Sequence, residues 1–147
     1  MMELRTARAE EQATVRSLLT AAGLPVEDLD DATVDVIVAI QDDVLVGAIG
    51  LESFGDDGLL RSLVVSPDAR GGGIGRHLVD AIEAHASAAG FYSLVLLTTT
   101  AAPFFAARGY QVINRIDAPV AVQASAEFRS LCPASATCMR KFLESTA

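Results

Sequence analysis

Apolar positions recur along this chain with two spacings, the period of β-strands in some segments and the period of α-helices in others. Runs rich in apolar and β-branched residues predict strands at 3–8, 34–41, 44–53, 59–66, 93–98, 110–115 and 137–143. Spacings of three and four residues predict helices at 9–22 and 74–89, a short helix at 103–108, and one or two helical turns at 125–131. Turns at Asp42-Asp43 and at 55–58 make the middle strands an antiparallel meander. This order predicts a mixed α/β sheet with helices on both faces.

Both long helices are predicted to be amphipathic, because their apolar residues recur on one side. The buried side of the first helix would hold Val15, Leu18, Leu19 and Ala22, and that of the second Ile74, Leu78, Ile82 and Ala89. Gly23 and Pro25 follow the last turn of the first helix and are expected to end it, and Gly90 is expected to end the second helix.

The composition is that of one globular domain. The chain has 147 residues, of which 51% are hydrophobic and 20% charged, so a core is expected and disorder is not. No apolar run approaches the roughly 20 residues that span a bilayer. The first residues lack the apolar core of a signal peptide. We therefore expect a single domain over 1–147, located in the cytoplasm and without membrane association.

The charge and the cysteines argue against several classes of function. The formal net charge is −8, whereas a nucleic-acid-binding protein needs a basic surface. Cys132 and Cys138 are too few for a disulfide framework or a four-ligand zinc site, and we expect buried, unreactive thiols. His77 and His85 lie eight residues apart on one predicted helix, too far apart to share a metal ion. No metal is therefore expected.

A glycine-rich loop, Arg70-Gly71-Gly72-Gly73-Ile74-Gly75, joins a predicted strand to a predicted helix. Glycines let a ligand approach the backbone, and the first helical turn offers unpaired N–H groups and a partial positive charge. The loop therefore predicts a site for an anion such as a phosphate. It lacks the Gly-Lys-Ser/Thr of a P-loop and the clean Gly-x-Gly-x-x-Gly spacing of a dinucleotide-binding unit. A plain turn is the alternative, although three adjacent glycines are costly for that role.

This loop resembles the Arg/Gln-x-x-Gly-x-Gly/Ala signature of the GNAT superfamily of acetyl-CoA-dependent N-acetyltransferases. Phe104-Phe105-Ala106-Ala107-Arg108-Gly109-Tyr110 is similar to a later element of that family, an aromatic residue followed by three residues, glycine and an aromatic residue. The resemblance covers nearly the whole chain and is strongest over 59–110. It implies the GNAT-like acyl-CoA N-acyltransferase fold, a central, mostly antiparallel sheet in which two strands, here 59–66 and 93–98, splay apart.

The resemblance implies acetyl-CoA as the cofactor and coenzyme A as a product. The pantetheine amides would pair with the backbone of Leu63, Val64 and Val65 like an added strand. The pyrophosphate would lie against the backbone N–H groups of Arg70, Gly71, Gly72, Gly73, Ile74, Gly75 and Arg76. Thr99, Phe105 and Arg108 would lie near the cofactor.

Acetyl transfer to an amine needs a base that takes the amine proton and an acid that protonates the leaving thiolate. Glu52, near the end of the strand before 59–66, is the predicted base, and a solvated strand-end carboxylate is the alternative interpretation. The tyrosine that supplies the acid in many GNAT members corresponds here to Phe105, and the acidic strand residue of many members corresponds to a position near Leu59. The acid is therefore unassigned, and water is the alternative.

Four residues are predicted to contact the acceptor amine: Arg61, Ser62, Thr98 and Thr100. Arg61 lies inside an apolar strand, where a buried arginine needs a partner such as Glu52 or a substrate anion. Strand propensity and helix capping are alternative explanations for the threonines. Arg115 is interpreted as an exposed arginine at a strand end in preference to a second anion clamp.

The chain also resembles one branch of the GNAT superfamily, which is associated with arsenic-resistance operons. This narrower resemblance is carried by three segments: 59–65, 97–101 and 131–136. We expect an N-acetyltransferase that acts by direct attack in a ternary complex on a small amine, such as an anionic amino acid or an arsenical or phosphinic analogue. A catalytically weak acyl-CoA-binding or arsenical-sensing protein is the alternative. Since many GNAT members dimerise, a homodimer is an alternative to a monomer.

Overall fold

The structure is a computed structural model that describes residues 2–24, 26, 34–131 and 135–143. Within these residues, the strands are β1 (Met2–Thr6), β2 (Val34–Gln41), β3 (Val44–Phe54), β4 (Asp57–Val65), β5 (Ser93–Thr98), β6 (Gln111–Ile113) and β7 (Thr137–Phe142). The α-helices are α1 (Gln12–Ala21), α2 (Ile74–Ala88), α3 (Ala102–Ala106) and α4 (Val120–Gln123). Single turns of 3-10 helix occur at Ala9–Glu11, Pro67–Ala69 and Arg115–Asp117, and a π-helical turn at Glu127–Leu131.

The strands form a seven-stranded sheet in the order β1-β2-β3-β4-β5-β7-β6. β1 pairs with β2, β5 with β7 and β6 with β7 in antiparallel fashion, whereas β4 and β5 are parallel. Parallel neighbours need a crossover connection, and here it contains α2. The predicted mixed α/β sheet is therefore confirmed.

The apolar periodicity predicted the positions of most strands and helices, but it predicted the ends of the helices less accurately. The predicted bounds of β2 and β5 match the structure. The first helix is preceded by a 3-10 turn, β6 is shorter than predicted, and α4 was not predicted. Ala22 and Ala89 were placed on buried helix faces, but both are exposed and lie just beyond the helices. Pro25 and Cys132, to which the sequence assigned a helix end and a buried thiol, lie outside the described residues.

The chain divides into two compact units, Met1–Leu51 with Arg61–His85 and Glu52–Leu60 with Ala86–Ala147. The boundary passes through β3, β4 and α2, so each unit contains strands and helical residues. The single domain over 1–147 stays a prediction.

The first unit buries the apolar side of α1 against strands. Its core contains Val15, Leu19, Val38, Ala48 and Val64. Close backbone approach explains Gly47 in β3, because a Cβ there would lie 3.0 Å from the carbonyl oxygen of Val64. Asp42 and Asp43 both have positive φ, 51° and 65°, as a tight two-residue hairpin turn requires.

An ion pair ties β1 to the turn before α1 in the same unit. Arg5 Nη1 and Nη2 each donate to a Glu11 carboxylate oxygen at 2.7 Å. The Arg8 backbone N–H donates to the same carboxylate at 2.8 Å. The hydrogen bonds from Arg5, followed by that from Arg8, lower the pKa of Glu11 to about 2. The fork geometry of the guanidinium makes this a specific contact.

The second unit has its own apolar cluster, formed by Leu59, Val95, Ala118, Val122 and Cys138. It also has a polar network that links the first residues of β4 and β5 to β7. The Ser93 hydroxyl donates to Asp57 Oδ1 at 2.5 Å, and Arg140 Nε donates to Ser93 Oγ at 2.9 Å. Arg140 Nη2 lies 3.2 Å from Asp57 Oδ1. Asp57 was predicted to belong to a turn, but it lies in β4 and anchors this network.

No helix in the described part of the chain is long and apolar enough to cross a bilayer.

Candidate active site

The glycine-rich loop lies between β4 and α2, as the sequence predicted. Gly71 and Gly73 have left-handed backbone conformations, with φ of 89° and 79°. A side chain at either position would be strained, so these two glycines are required by the backbone itself. Gly72 has no such constraint, and a Cβ there would meet only the Ala69 carbonyl oxygen at 3.7 Å.

Two arginines flank this loop. Arg70 Nε donates to the carbonyl oxygen of Val65 at 3.2 Å, which ties the loop to the last residue of β4. The side chain of Arg76 reaches back over Gly73, where a Cβ would come within 3.2 Å of Arg76 Nη2. The loop thus combines an exposed backbone, the first turn of a 15-residue helix and nearby positive charge, features that suit a bound anion.

β4 carries a local distortion at Ser62, which has a φ of 61°. A positive φ in a non-glycine residue within a strand costs roughly 1–3 kcal/mol and is a feature found at functional sites. Ser62 directly precedes Leu63, the first residue predicted to pair with the pantetheine arm. The sequence predicted a substrate contact at Ser62 but contained no signal for this backbone conformation.

The parallel ladder between β4 and β5 is short. It consists of three pairs, Asp57 with Ser93, Gly58 with Leu94 and Leu59 with Val95. β4 continues to Val65 and β5 to Thr98, so neither strand is paired over its whole length in this ladder.

Arg61 is buried in β4, with only 4% of its surface exposed. Its stem packs on Gly50 of β3, since a Cβ at Gly50 would lie 3.4 Å from Arg61 Cγ. Its Nε lies 3.4 Å from Ser62 Oγ. The burial that the sequence predicted for Arg61 is confirmed, and its contact with a substrate stays a prediction.

Glu52, the predicted base, lies in β3 of the second unit. Only 7% of its surface is exposed. The alternative of a solvated strand-end carboxylate is therefore wrong. A buried carboxylate is costly without compensation and is a candidate for a chemical role.

The threonines after β5 differ from one another. Thr98 is half-buried and its hydroxyl accepts a hydrogen bond from the backbone N–H of Ala101 at 2.9 Å, so it orders the turn that leads to α3. Thr99 and Thr100 are exposed. The N-cap of α3 is Ala101 and no side chain caps this helix, so helix capping does not explain the threonines. The site roles of all three stay predictions.

The element at 104–110 forms an aromatic cluster. The Phe105 ring is buried and meets the rings of Phe104 and Tyr110 edge-on, with centroids 5.1 Å and 5.4 Å away. Arg108 lies over the Phe104 ring at 5.8 Å. Gly109 has a φ of 94°, which explains the glycine of the motif. Phe105 offers no hydroxyl, and its packing role is clear from these contacts.

Arg115 was predicted to be exposed, and this is wrong. It begins the 3-10 turn after β6 and is half-buried. Its Nη2 donates to the Ala136 carbonyl oxygen at 3.3 Å, and its Cζ lies 5.9 Å from the centroid of the Phe128 ring. Burial raises the pKa of the nearby Cys138 thiol, and the charge of Arg115 opposes that rise.

Among the described residues, no group of three or more His, Cys, Asp or Glu side chains could hold a metal ion.

The model of the acetyltransferase (GNAT) domain family matches residues 32–112, more than half of the sequence. The chain belongs to this family, and the predicted GNAT fold is confirmed.

Three relatives illustrate the similarity. The chain is 48% identical over 56 residues to an amino-acid acetyltransferase of Azotobacter vinelandii, covering 38% of this chain and 13% of that protein. It is 46% identical over 52 residues to the IAA acetyltransferase of Azospirillum brasilense, covering 35% and 34%. The N-acetylglutamate synthase from Neisseria gonorrhoeae, solved with coenzyme A and N-acetyl-glutamate, has 23% identity and a TM-score of 0.84 over 98% of this chain and 35% of that one.

The chain spans no more than about a third of the length of these three relatives. Because the sequence identity to the synthase is only 23%, the similarity to that protein concerns the fold.

Proposed function

We propose that this chain transfers the acetyl group of acetyl-CoA to the amine of a small molecule. The observation that carries the proposal is the glycine loop before α2, with Gly71 and Gly73 in conformations that keep side chains out, in a chain of the GNAT family. The coenzyme A named for the Neisseria synthase supports acetyl-CoA as the donor.

The diphosphate of the cofactor binds the backbone N–H groups between Arg70 and Arg76. Two features support this role: the exposed backbone at Gly71 and Gly72 and the first turn of α2. Arg70 and Arg76 add positive charge, and the hydrogen bond from Arg70 to Val65 holds the loop in place.

The pantetheine arm pairs with the backbone of Leu63, Val64 and Val65. The short β4–β5 ladder, which ends at Leu59, supports this role because β4 extends six residues beyond it. The distortion at Ser62 changes the direction of backbone groups at this point in β4. The proposal also includes three residues that lie near the cofactor: Thr99, Phe105 and Arg108.

The chemistry is a direct transfer. The amine nitrogen bonds to the thioester carbonyl carbon, the C–S bond breaks, and the sulfur leaves as a thiolate that takes up a proton. Glu52 takes the proton lost by the amine, either directly or through water. Its burial in β3 supports this role, because a side chain packed into the fold can be held in the fixed position that proton transfer requires. Since Phe105 cannot donate a proton, water supplies it to the thiolate.

The acceptor is a small amine that carries an anionic group, such as an amino acid. The amino-acid acetyltransferase among the relatives supports this class. Arg61, Ser62, Thr98 and Thr100 form the proposed acceptor contacts. An arsenical or phosphinic amino acid is the finer form of the proposal, and it rests on the resemblance of 59–65, 97–101 and 131–136 to the arsenic-resistance branch.

The second candidate is an acyl-CoA-binding or arsenical-sensing protein with little catalysis, which the phenylalanine at position 105 favours. The cytoplasmic location and the homodimer stay predictions.

One experiment tests the proposed function. The purified chain is mixed with acetyl-CoA and a panel of amines that includes amino acids and their phosphinic analogues, and coenzyme A is detected by its thiol. We expect at least one amine to stimulate release well above hydrolysis. Tight binding of acetyl-CoA without stimulation by any amine would favour the second candidate, and no binding of coenzyme A would remove both.

A further inference from the structure

Of the 11 lysines and arginines in the sequence, only one is a lysine, Lys141 in β7. The sheet fixes its backbone, because Lys141 pairs with Leu94 of β5 and the preceding Arg140 pairs with Gln111 of β6. A lysine ordinarily extends its ammonium group into water. The side chain of Lys141 is instead half-buried, and its Nζ contacts the end of α3.

The chain leaves α3 through a Schellman motif. The backbone N–H of Tyr110 donates to the carbonyl oxygen of Phe105 at 3.1 Å, and that of Gly109 donates to the carbonyl oxygen of Ala106 at 3.1 Å. The left-handed φ of Gly109 and the contact between the rings of Phe105 and Tyr110 complete the motif. Its two backbone bonds do not use the carbonyl oxygen of Arg108, the residue before Gly109.

Lys141 supplies a donor for that carbonyl. Its Nζ donates to the carbonyl oxygen of Arg108 at 2.9 Å. Its stem lies over Gly109, where a Cβ would be 3.5 Å from Lys141 Cε. Its Nζ also lies 5.6 Å from the centroid of the Tyr110 ring, within the range of a cation–π interaction. Since the last carbonyls of a helix carry partial negative charge, an ammonium group at this end stabilises the turn.

The turn that Lys141 holds carries two residues of the proposed cofactor site, Phe105 and Arg108. The peptide group is planar, so a bond to the Arg108 carbonyl fixes the orientation of the whole peptide between Arg108 and Gly109. Phe105 is held through its contact with the Tyr110 ring, which lies beside the Lys141 ammonium group. Groups that are held in place before a ligand arrives lose less freedom when it binds, so this bond favours cofactor binding.

We propose that Lys141 is a positioning residue for the cofactor, which holds the end of α3 so that Phe105 and Arg108 are in place to contact acetyl-CoA. This inference rests on the proposed function. In this role Lys141 requires no contact with the cofactor and takes no part in the chemical step. Its loss should therefore weaken the binding of coenzyme A without slowing acetyl transfer at saturating acetyl-CoA.

The test removes the ammonium group and keeps most of the stem. For Lys141→Met we expect about a 10-fold rise in the Kd for coenzyme A, measured by calorimetry, the lower end of the range for loss of a charged hydrogen bond. The KM for acetyl-CoA should rise equally, whereas kcat and the KM for the amine should stay as in wild type. Lys141→Arg keeps a charged donor and should retain most of the affinity.

Arg140→Gln is the matched control, because Arg140 is the neighbouring cation in β7 and its side chain bonds to Ser93 and Asp57. It should lower the stability of the chain but leave the affinity for coenzyme A unchanged. A second measurement uses the wild-type chain and does not depend on the folding of a variant. Isotope-labelled lysine gives one side-chain signal in NMR spectra, that of Lys141, and we expect it to shift when coenzyme A saturates the protein.

Several results would overturn the proposal. These are an unchanged Kd in Lys141→Met, an affinity in Lys141→Arg as low as in Lys141→Met, an equal loss of affinity in Arg140→Gln, and a lysine signal that does not respond to coenzyme A. Failure of the proposed function itself would appear differently, as absence of coenzyme A binding by the wild-type chain.

Discussion

The glycine loop before α2 and the region around the end of β5 are built in opposite ways. The loop presents backbone, with Gly71 and Gly73 in conformations that only glycine adopts at low cost. The β5 region presents side chains, with Arg115, Phe128 and Thr98 brought together from distant parts of the chain. Backbone recognition suits a part of the cofactor that never changes, whereas side chains suit a substrate that differs between relatives.

The largest effect is expected for the predicted base, whose replacement should lower the rate of acetyl transfer without weakening the binding of coenzyme A. We expect Glu52→Gln to lower kcat about 100-fold or more, in the range for loss of a general base, because an amide cannot take the amine proton. The affinity for coenzyme A, measured by calorimetry, should stay as in wild type. Glu10→Gln, at an exposed carboxylate, is the control. Wild-type turnover in Glu52→Gln across the pH range would exclude this residue as the base.

The loop itself is tested at Gly72, the glycine without a left-handed φ. Gly72→Asp should weaken coenzyme A binding about 100-fold, or nearly 3 kcal/mol, because it places a negative charge against the diphosphate without straining the backbone. Gly72→Ala is the matched variant, and it should keep most of the affinity. Equal affinities for the aspartate variant and the wild type would show that the anion does not bind here.

The network of Asp57, Ser93 and Arg140 lies at the start of β5, in the same unit as the second region. Arg140→Gln should lower the free energy of unfolding by about 2 kcal/mol, because it leaves the Asp57 carboxylate with weaker compensation. Urea unfolding measures the effect, and Arg129→Gln serves as the exposed control. The same loss in an Asp57→Asn background would show that the two side chains do not interact.

The smallest effect concerns the pair of Arg5 and Glu11 in the first unit. The pKa of Glu11 is lowered to about 2 from 4.5, so the pair stabilises the fold above pH 4.5 and loses this effect as the pH falls toward 2. Glu11→Gln should therefore lower the Tm by a few degrees at most at pH 7, and less at pH 3. A difference that grew on acidification would contradict this assignment.

Sequence was sufficient where the cause of structure is local. The bounds of β2 and β5 follow from short apolar runs, and the loop before α2 follows from three adjacent glycines between a strand and a helix. Burial of Arg61 could be predicted because it lies in a mostly apolar strand, between Leu59-Leu60 and Leu63-Val64-Val65. These features need no information from distant residues.

Asp57 and Arg115 show where sequence reasoning stops. Asp57 has the residue type of a turn, and its role became visible only when Ser93 and Arg140, 36 and 83 residues away, were found beside it. Arg115 looked like a surface residue until Phe128 and Ala136 were seen around it. The distortion at Ser62 had no signal in the sequence either, because serine does not require a positive φ.

The sequence by itself predicted most of the sheet and the loop that we propose binds the diphosphate, because periodicity and glycine conformation act over a few neighbouring residues. Its resemblance to the GNAT motifs indicated the family, which the family model confirmed. The tertiary structure alone decided what the charged side chains touch, because contacts such as those of Asp57 with Arg140 and of Arg115 with Ala136 join residues that lie far apart along the chain.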